Sequence, residues 1–284
     1  MRARIGMLVL TLLATAVSGA AQARGAAATP NDLYCSGVVR TQPVPRDTHI
    51  ISGEDSYAMT GYAQGDKVFI NRGSSHGTSV GDEFTVIRQV KDTSPTTWFR
   101  GQGTLKRAMG HLWQDVGRVK VSEVRSSVSI AEVTFTCDML QRGDTIRPFA
   151  AMSSPAFPEG PIDAFGQPTG KSVGMVVLSK SYGQMVGTYD IVYVNLGSAQ
   201  GVKEGDHVRL FRYQNSTHEV PYRPRGTAYQ LWGWGSTPLR YTWGDLPREV
   251  LAHGVVLRVG ENAATVLLTS SLKDIYLGDY VELK

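Results

Sequence analysis

VFINRGSSHGTSVGDEFTVIRQV, residues 68–90, is answered 124 positions later by VYVNLGSAQGVKEGDHVRLFRYQ, residues 192–214. Aligned without a gap, the 23 positions hold eight identities: Val68/Val192, Asn71/Asn195, Gly73/Gly197, Ser74/Ser198, Gly77/Gly201, Gly81/Gly205, Asp82/Asp206 and Arg88/Arg212. Chance pairing at ordinary composition gives about one or two. The shared residues are those a tight connection between two strands requires. Glycine tolerates φ > 0 without a Cβ clash. Asn71 and Asp82, like Asn195 and Asp206, can bond backbone two residues on and shape the loop from both ends. Val202, where the first copy has Thr78, is placed to tuck under the turn. After the turn, Phe84 and Val86 alternate with Thr85, the period of a half-buried strand.

Outward from this stretch, the same order of patterns runs over residues 49–149 and 172–284. Ala131, Val133 and Phe135 take one strand face in the first copy, as Ala264, Val266 and Leu268 do in the second. Each copy ends on a Gly-Asp pair, Gly143-Asp144 and Gly278-Asp279. Short strands, glycine turns and little helical period define an all-β chain. A unit of about 100 residues with five or six such strands is expected to close, because closure removes exposed edges. The expected architecture is therefore two tandem small β-barrel modules. Between them, residues 150–171 hold Pro155, Pro158, Pro161 and Pro168 and predict a semi-extended, Pro/Gly-rich tether. Each copy carries an insertion. In residues 91–116, Leu105, Met109 and Leu112 follow Thr104 at helical spacing and predict a short helix. The second insertion covers residues 214–249.

The N-terminus reads as a leader. Arg2 and Arg4 precede an apolar run over residues 5–17, and Ala21-Gln22-Ala23 is a small-x-small cleavage pattern, so residues 1–23 predict a secretory signal peptide. Nothing later is long and apolar enough to span a bilayer as a helix. Localisation is expected to be exported, periplasmic or extracellular. In that setting the two cysteines, Cys35 and Cys137, predict a disulfide. Residues 24–48 would then form an N-terminal strap, extended past Pro43 and Pro45 and tied by that bond. Without Arg2 and Arg4, 27 basic residues face 25 acidic ones. A surplus of two charges spread along the chain excludes a nucleic-acid footprint.

Chemistry motifs do not survive comparison of the copies. Gly73-Ser74-Ser75-His76-Gly77 has the spacing of a nucleophile elbow, but the second copy, Gly197-Ser198-Ala199-Gln200-Gly201, places Ala at the nucleophile and a strand pattern follows both. GQPTGKS, residues 166–172, is one residue short of a phosphate loop. The six histidines show no metal-ligand spacing. No catalytic residue, cofactor or metal is expected. The second insertion alone has functional colour: Tyr222, Tyr229, Trp232, Trp234, Tyr241 and Trp243 form a candidate binding surface, able to stack on sugar rings or a partner protein.

The pattern N-x-G-x-x-x-G-[V/T]-x-x-G-D, followed by a strand, an insertion and the closing Gly-Asp, resembles the C-terminal domain of the flagellar assembly protein T family. Tyr34-Cys35-Ser36-Gly37 is similar to the opening segment of a group of exported bacterial proteins. The resemblance implies a small β-barrel module of the cell envelope, with a binding or assembly role and no catalysis. The expected function is a non-enzymatic envelope scaffold whose partner is a protein or a glycan, peptidoglycan or polysaccharide. The alternative is an envelope hydrolase with its site between the two modules.

Overall fold

The computed structural model of the chain describes residues 27–91, 97–213 and 247–284. The regular structure of the described chain is nearly all strand. It opens with a short helix, α1 (Pro30–Tyr34), and a three-residue strand, β1 (Val38–Arg40). The first sheet then takes β2 (Ile50–Gly53), β3 (Lys67–Ile70) and β4 (Glu83–Gln89). After helix α2 (Gln102–Met109) come β5 (His111–Val124), β6 (Ser129–Thr136) and β7 (Thr145–Pro148). The second part holds β8 (Val173–Ser179), β9 (Met185–Val186), β10 (Ile191–Val194) and β11 (His207–Arg212). It ends with β12 (Glu249–Val259), β13 (Ala264–Ser271), β14 (Ile275–Tyr276) and β15 (Tyr280–Leu283).

The strand order is the same twice. The first sheet runs β2-β3-β6-β5-β4-β7, with β1 added alongside β5, and the second runs β8-β10-β13-β12-β11-β15. Only the second is a closed barrel. There β15 pairs with β8 through Tyr280/Met175, Val281/Gly174 and Glu282/Val173. The first is a curled sheet whose end strands form no ladder; they meet at a single bridge, His49 with Thr145. The expectation of two closed barrels is thus corrected to one barrel and one curled sheet. Strand length is the reason. β8 has seven residues and pairs with both β10 and β15. β2 has four, which its pairing with β3 takes up.

The repeated stretch folds alike in both places, as strand, one turn of 3₁₀ helix and strand. Gly77 and Gly201 end that turn at φ of 72° and 82°, and Gly81 and Gly205 also lie in the left-handed region, at 94° and 87°. Gly73 and Gly197 are conserved between the copies for another reason. Their φ is negative, but a Cβ would lie 2.3 Å from Arg125 O or 2.4 Å from Glu261 O. Asp82 and Asp206 do shape the loop, accepting from Ser79 N–H and Lys203 N–H. The asparagines do not. Asn71 Oδ1 takes the His49 N–H and Asn195 Oδ1 the Met175 N–H, pinning the incoming strand of each sheet. Val202 is buried in the barrel core, as its position under the turn implies.

Arg88 and Arg212 show what the eighth identity does. Arg88 grips Asp144 through Nε and Nη2, both at 2.7 Å. Arg212 grips Asp279 in the same way, at 2.7 and 2.6 Å. The second Arg nitrogen also reaches a loop carbonyl in each case, Met139 O or Asp274 O. Asp144 and Asp279 belong to the closing Gly-Asp pairs, and both are almost fully buried. Bidentate, charge-assisted bonding is the strong form of ion pair. It fastens the last turn of each sheet to β4 or β11.

Other expectations shift. The strap is not extended throughout: Thr29 caps α1 in a reciprocal capping box with Asp32, and Pro30 sits at its first turn. The helix in the first insertion starts at Gln102 after Gly101, so Thr104 lies inside it and Leu112 belongs to β5. Residues 150–171 hold no named strand, yet they are packed rather than free. Ala164 O accepts from Val250 N–H, Gln167 O from Arg209 and Leu283 O from Thr169. Cys35 and Cys137 are disulfide-bonded with their Cα atoms 5.5 Å apart, as expected, tying α1 to the end of β6.

Removing one partner of a buried pair strands the other charge, at a cost of about 3 kcal/mol. Asp279→Ala should therefore lower stability by about that much in urea unfolding, and Asp144→Ala similarly. In Arg212→Leu/Asp279→Leu a large part of the loss should return. Full additivity of the two single losses would show that the pair does not act as a unit.

Candidate functional site

Asp115, on β5, is the group from which the seam between the two sheets is built. It is 1% exposed. Arg258, from β12 of the barrel, donates to both of its carboxylate oxygens at 3.0 Å. The Gly37 N–H donates to Oδ2 at 2.8 Å. Burial pushes the Asp115 carboxyl up, and Arg258 and the Gly37 N–H pull it back. The strap segment 36–37 is held from the other side as well. Tyr193 Oη donates to Ser36 O at 2.8 Å, and Thr265 Oγ1 to Gly37 O at 3.0 Å. Gly37 has φ of 70°, and a Cβ there would lie 2.9 Å from Tyr193 Oη. Around these bonds, Leu33, Val39, Met109 and Leu112 pack against Val177, Ile191, Tyr193 and Leu257 in one apolar cluster. The first insertion adds to the lock: Phe99 enters the barrel's own core, and Gln102 Nε2 donates to Val177 O.

Two concavities open along this seam. A groove of about 670 Å³ runs between α2, β1 and the ends of β4, β5 and β8. Its floor is Val39, Met109, Leu112 and Leu178, and Lys91, Lys106, Arg107 and His111 stand around it. A smaller hollow of about 380 Å³ is polar, lined by Asn31, Asp32, Lys180, Ser181, Tyr189 and Asp190. Burial pulls the Lys180 ammonium down, against Asp115 and Asp32, which pull it up. The loop between β8 and β10 separates the two spaces. Tyr182 borders the groove and Tyr189 the hollow, with φ of 57° and 72°. Bulky side chains in left-handed backbone are uncommon and concentrate at binding sites.

The sequence-derived candidate surface, Tyr222, Tyr229, Trp232, Trp234, Tyr241 and Trp243, lies outside the described residues. The turn residues Asn71, Gly73, Gly77, Gly81 and Asp82, with Asn195, Gly197, Gly201, Gly205 and Asp206, sit at the far ends of strands and do not line either concavity. Ser75 Oγ donates to Ser126 O and lies 3.1 Å from His76 Nδ1, on an exposed turn leading to a strand. Among the described residues no cluster of three or more His, Cys, Asp or Glu could hold a metal ion. No helix among them is long and apolar enough to cross a membrane. Asp115, Arg258 and Lys180 were not singled out by sequence reading. The strap motif Tyr34-Cys35-Ser36-Gly37 was the available signal, since its glycine and carbonyls are what the seam grips.

A second buried network fastens the linker. Glu282, 1% exposed, accepts two bonds from Arg248 and one from Arg209. Burial pushes its carboxyl up, but the two guanidinium groups hold it below the usual carboxylate range. Arg248 also lies over the Phe211 ring at 4.4 Å. Beside them His253 is buried, paired with Arg209 across the β11–β12 ladder. No protein-family model matches this chain, and no curated protein aligns with it significantly.

Asp115→Asn keeps an acceptor for Gly37 N–H but leaves Arg258 without its counter-charge. Hydrogen exchange at residues 36–40 should quicken while β11 and β12 stay protected; unchanged protection at Gly37 would show that the charge does not hold the strap. Stability also depends on pH through His253. His253 is held down to about 4 by burial, with Lys284, Arg209 and His207 adding repulsion. Histidine in the unfolded chain titrates near ~6.5. The unfolded chain thus binds more protons in between, so this contribution is full above about pH 6.5 and is lost as pH falls toward 4. The loss is on the order of 3 kcal/mol. Urea midpoints measured from pH 7 to 4 should fall accordingly, and His253→Leu should flatten that limb.

Proposed function

We propose that this chain is an exported, non-enzymatic binding or scaffolding component of the bacterial cell envelope, built from two copies of one β module. The observation that carries this reading is the seam. A buried ion pair and an apolar cluster join two sheets of like strand order, and a disulfide fixes to the first sheet the strap that lies between them. Rigid joining suits a part that presents surfaces at a set spacing. The disulfide also fits an oxidising compartment. The resemblance to flagellar assembly protein T modules, carried by the glycine turns and the closing Gly-Asp, points to the same class.

The two sheets differ in what covers them, and that difference supports a partner surface on the first. Val177 on β8 is buried under α2, whose Gln102 bonds its carbonyl. The matching position on β2, Ile51, is 42% exposed, and in loops of the same part of the chain Tyr57 is 91% and Met139 55% exposed. Gly278 is filled over by Phe99, while its counterpart Gly143 has open space. Exposed apolar side chains of this kind suit an envelope protein. A glycan is the other partner class, for which the polar hollow and the aromatic insertion are suited. The hydrolase reading draws no support from the seam, because Asp115 and Arg258 are bonded to each other and shielded.

Expression of the full chain in a bacterium, followed by fractionation and intact mass, tests the reading. The expected product is outside the cytoplasm, lacks residues 1–23 and is lighter by the two hydrogens lost in forming Cys35–Cys137. A cytoplasmic, unprocessed chain with two free thiols would refute it. Crosslinked capture of an envelope partner should fall with Ile51→Asp/Met139→Asp, with little change in melting temperature, since both side chains are exposed.

A further inference from the structure

The seam groove has a chemistry that scaffolding does not use. Its floor is apolar: Val39, Met109 and Leu112 are each under 9% exposed, yet they face an open concavity. Around that floor stand the cationic side chains of Lys91, after β4, and of Lys106 and Arg107 on α2, with the His111 ring at the start of β5. Among the described residues no Asp or Glu lines it. The carboxylate next to it, Glu261, accepts from the Thr41 hydroxyl. The buried amide of Gln102 is already engaged, donating to Val177 O and accepting from Trp98 N–H.

A ligand complementary to this site needs an apolar body, to replace water on the floor, and a negative end, to meet the rim. A volume of about 670 Å³ is within the range of small-molecule sites. We propose that the groove binds a single-chain anionic amphiphile, a fatty carboxylate whose alkyl chain lies on Val39, Met109 and Leu112. Its head pairs with the Lys91 and Arg107 cations. The apolar floor supplies affinity in proportion to chain length, and the rim selects the sign of the head. Tyr182, in left-handed backbone at one border, adds a rigid aromatic wall to the alkyl path.

Titration calorimetry on the purified, oxidised mature chain tests this independently of export or envelope partners. Dodecanoate is expected to bind below its micellar concentration, and each methylene removed should weaken binding about fourfold. Dodecyltrimethylammonium, with the same chain and the opposite head, should not bind. Lys91→Glu/Arg107→Glu should weaken dodecanoate about tenfold, the worth of two exposed ion pairs. Gly103 gives a blocking variant. It lines the groove on α2, its φ is unstrained, and a Cβ there would meet only Arg107 Nη1 at 3.7 Å. Gly103→Leu should obstruct the groove beside α2 and weaken binding while keeping or raising the melting temperature, because leucine favours helix over glycine. Equal binding of the cationic amphiphile would overturn the proposal. So would full dodecanoate affinity in either variant, or no binding by the parent chain.

Discussion

A carboxylate placed where water does not reach is the constraint on which the assembly of this chain depends. Asp115 belongs to the first sheet, Arg258 to the barrel and Gly37 to the strap, and the three meet at one group. Desolvating an ion is costly, and only good geometry with satisfied lone pairs repays it. Here both oxygens are engaged by donors from two other parts of the chain. None of the three parts can leave without exposing an unmet charge or an unmet N–H. The pair therefore selects one relative placement of the sheets more than it adds raw stability, and the apolar cluster around it contributes the bulk of the adhesion.

The same logic recurs inside each sheet. Arg88 with Asp144, and Arg212 with Asp279, bind the final turn to a central strand. These pairs are alike in both copies, whereas closure is not. β8 starts three residues ahead of the part that pairs with β10, and those residues meet β15; β2 has no such extension, so β8 completes a barrel and β2 leaves a bridge. The two sheets also differ in what lies on their outer faces. The first insertion has become a clasp for the second unit, sending Phe99 into its core, and in doing so it creates the groove beside α2.

Much of the fold was legible in the chain itself because it rests on short-range requirements. Gly77 and Gly201 need left-handed backbone, Asp82 and Asp206 close a loop three residues long, and alternation marks the strands. The disulfide was legible too, because only two cysteines exist. The roles of Asn71 and Asn195 were misread, since their partners lie on another strand, 22 and 20 residues away. The seam was hidden for the same reason on a larger scale. Asp115 and Arg258 are 143 positions apart, and neither has a local pattern that distinguishes it from any other exposed-looking charge. The aromatic insertion drew attention by composition, and composition does not say what the rings touch.

By itself the sequence determined the all-β class, the doubled turn with its glycines and aspartates, and the cysteine pair. Each of these follows from local backbone geometry or from counting. Only the tertiary structure decided that one sheet closes and the other curls, that a strap lies between them, and that cations gather around an apolar groove. Those features arise from contacts between distant segments, whose favourable energy depends on which surfaces lose water together. No local propensity encodes that, so a chain that states its turns twice still leaves its one seam to be found in space.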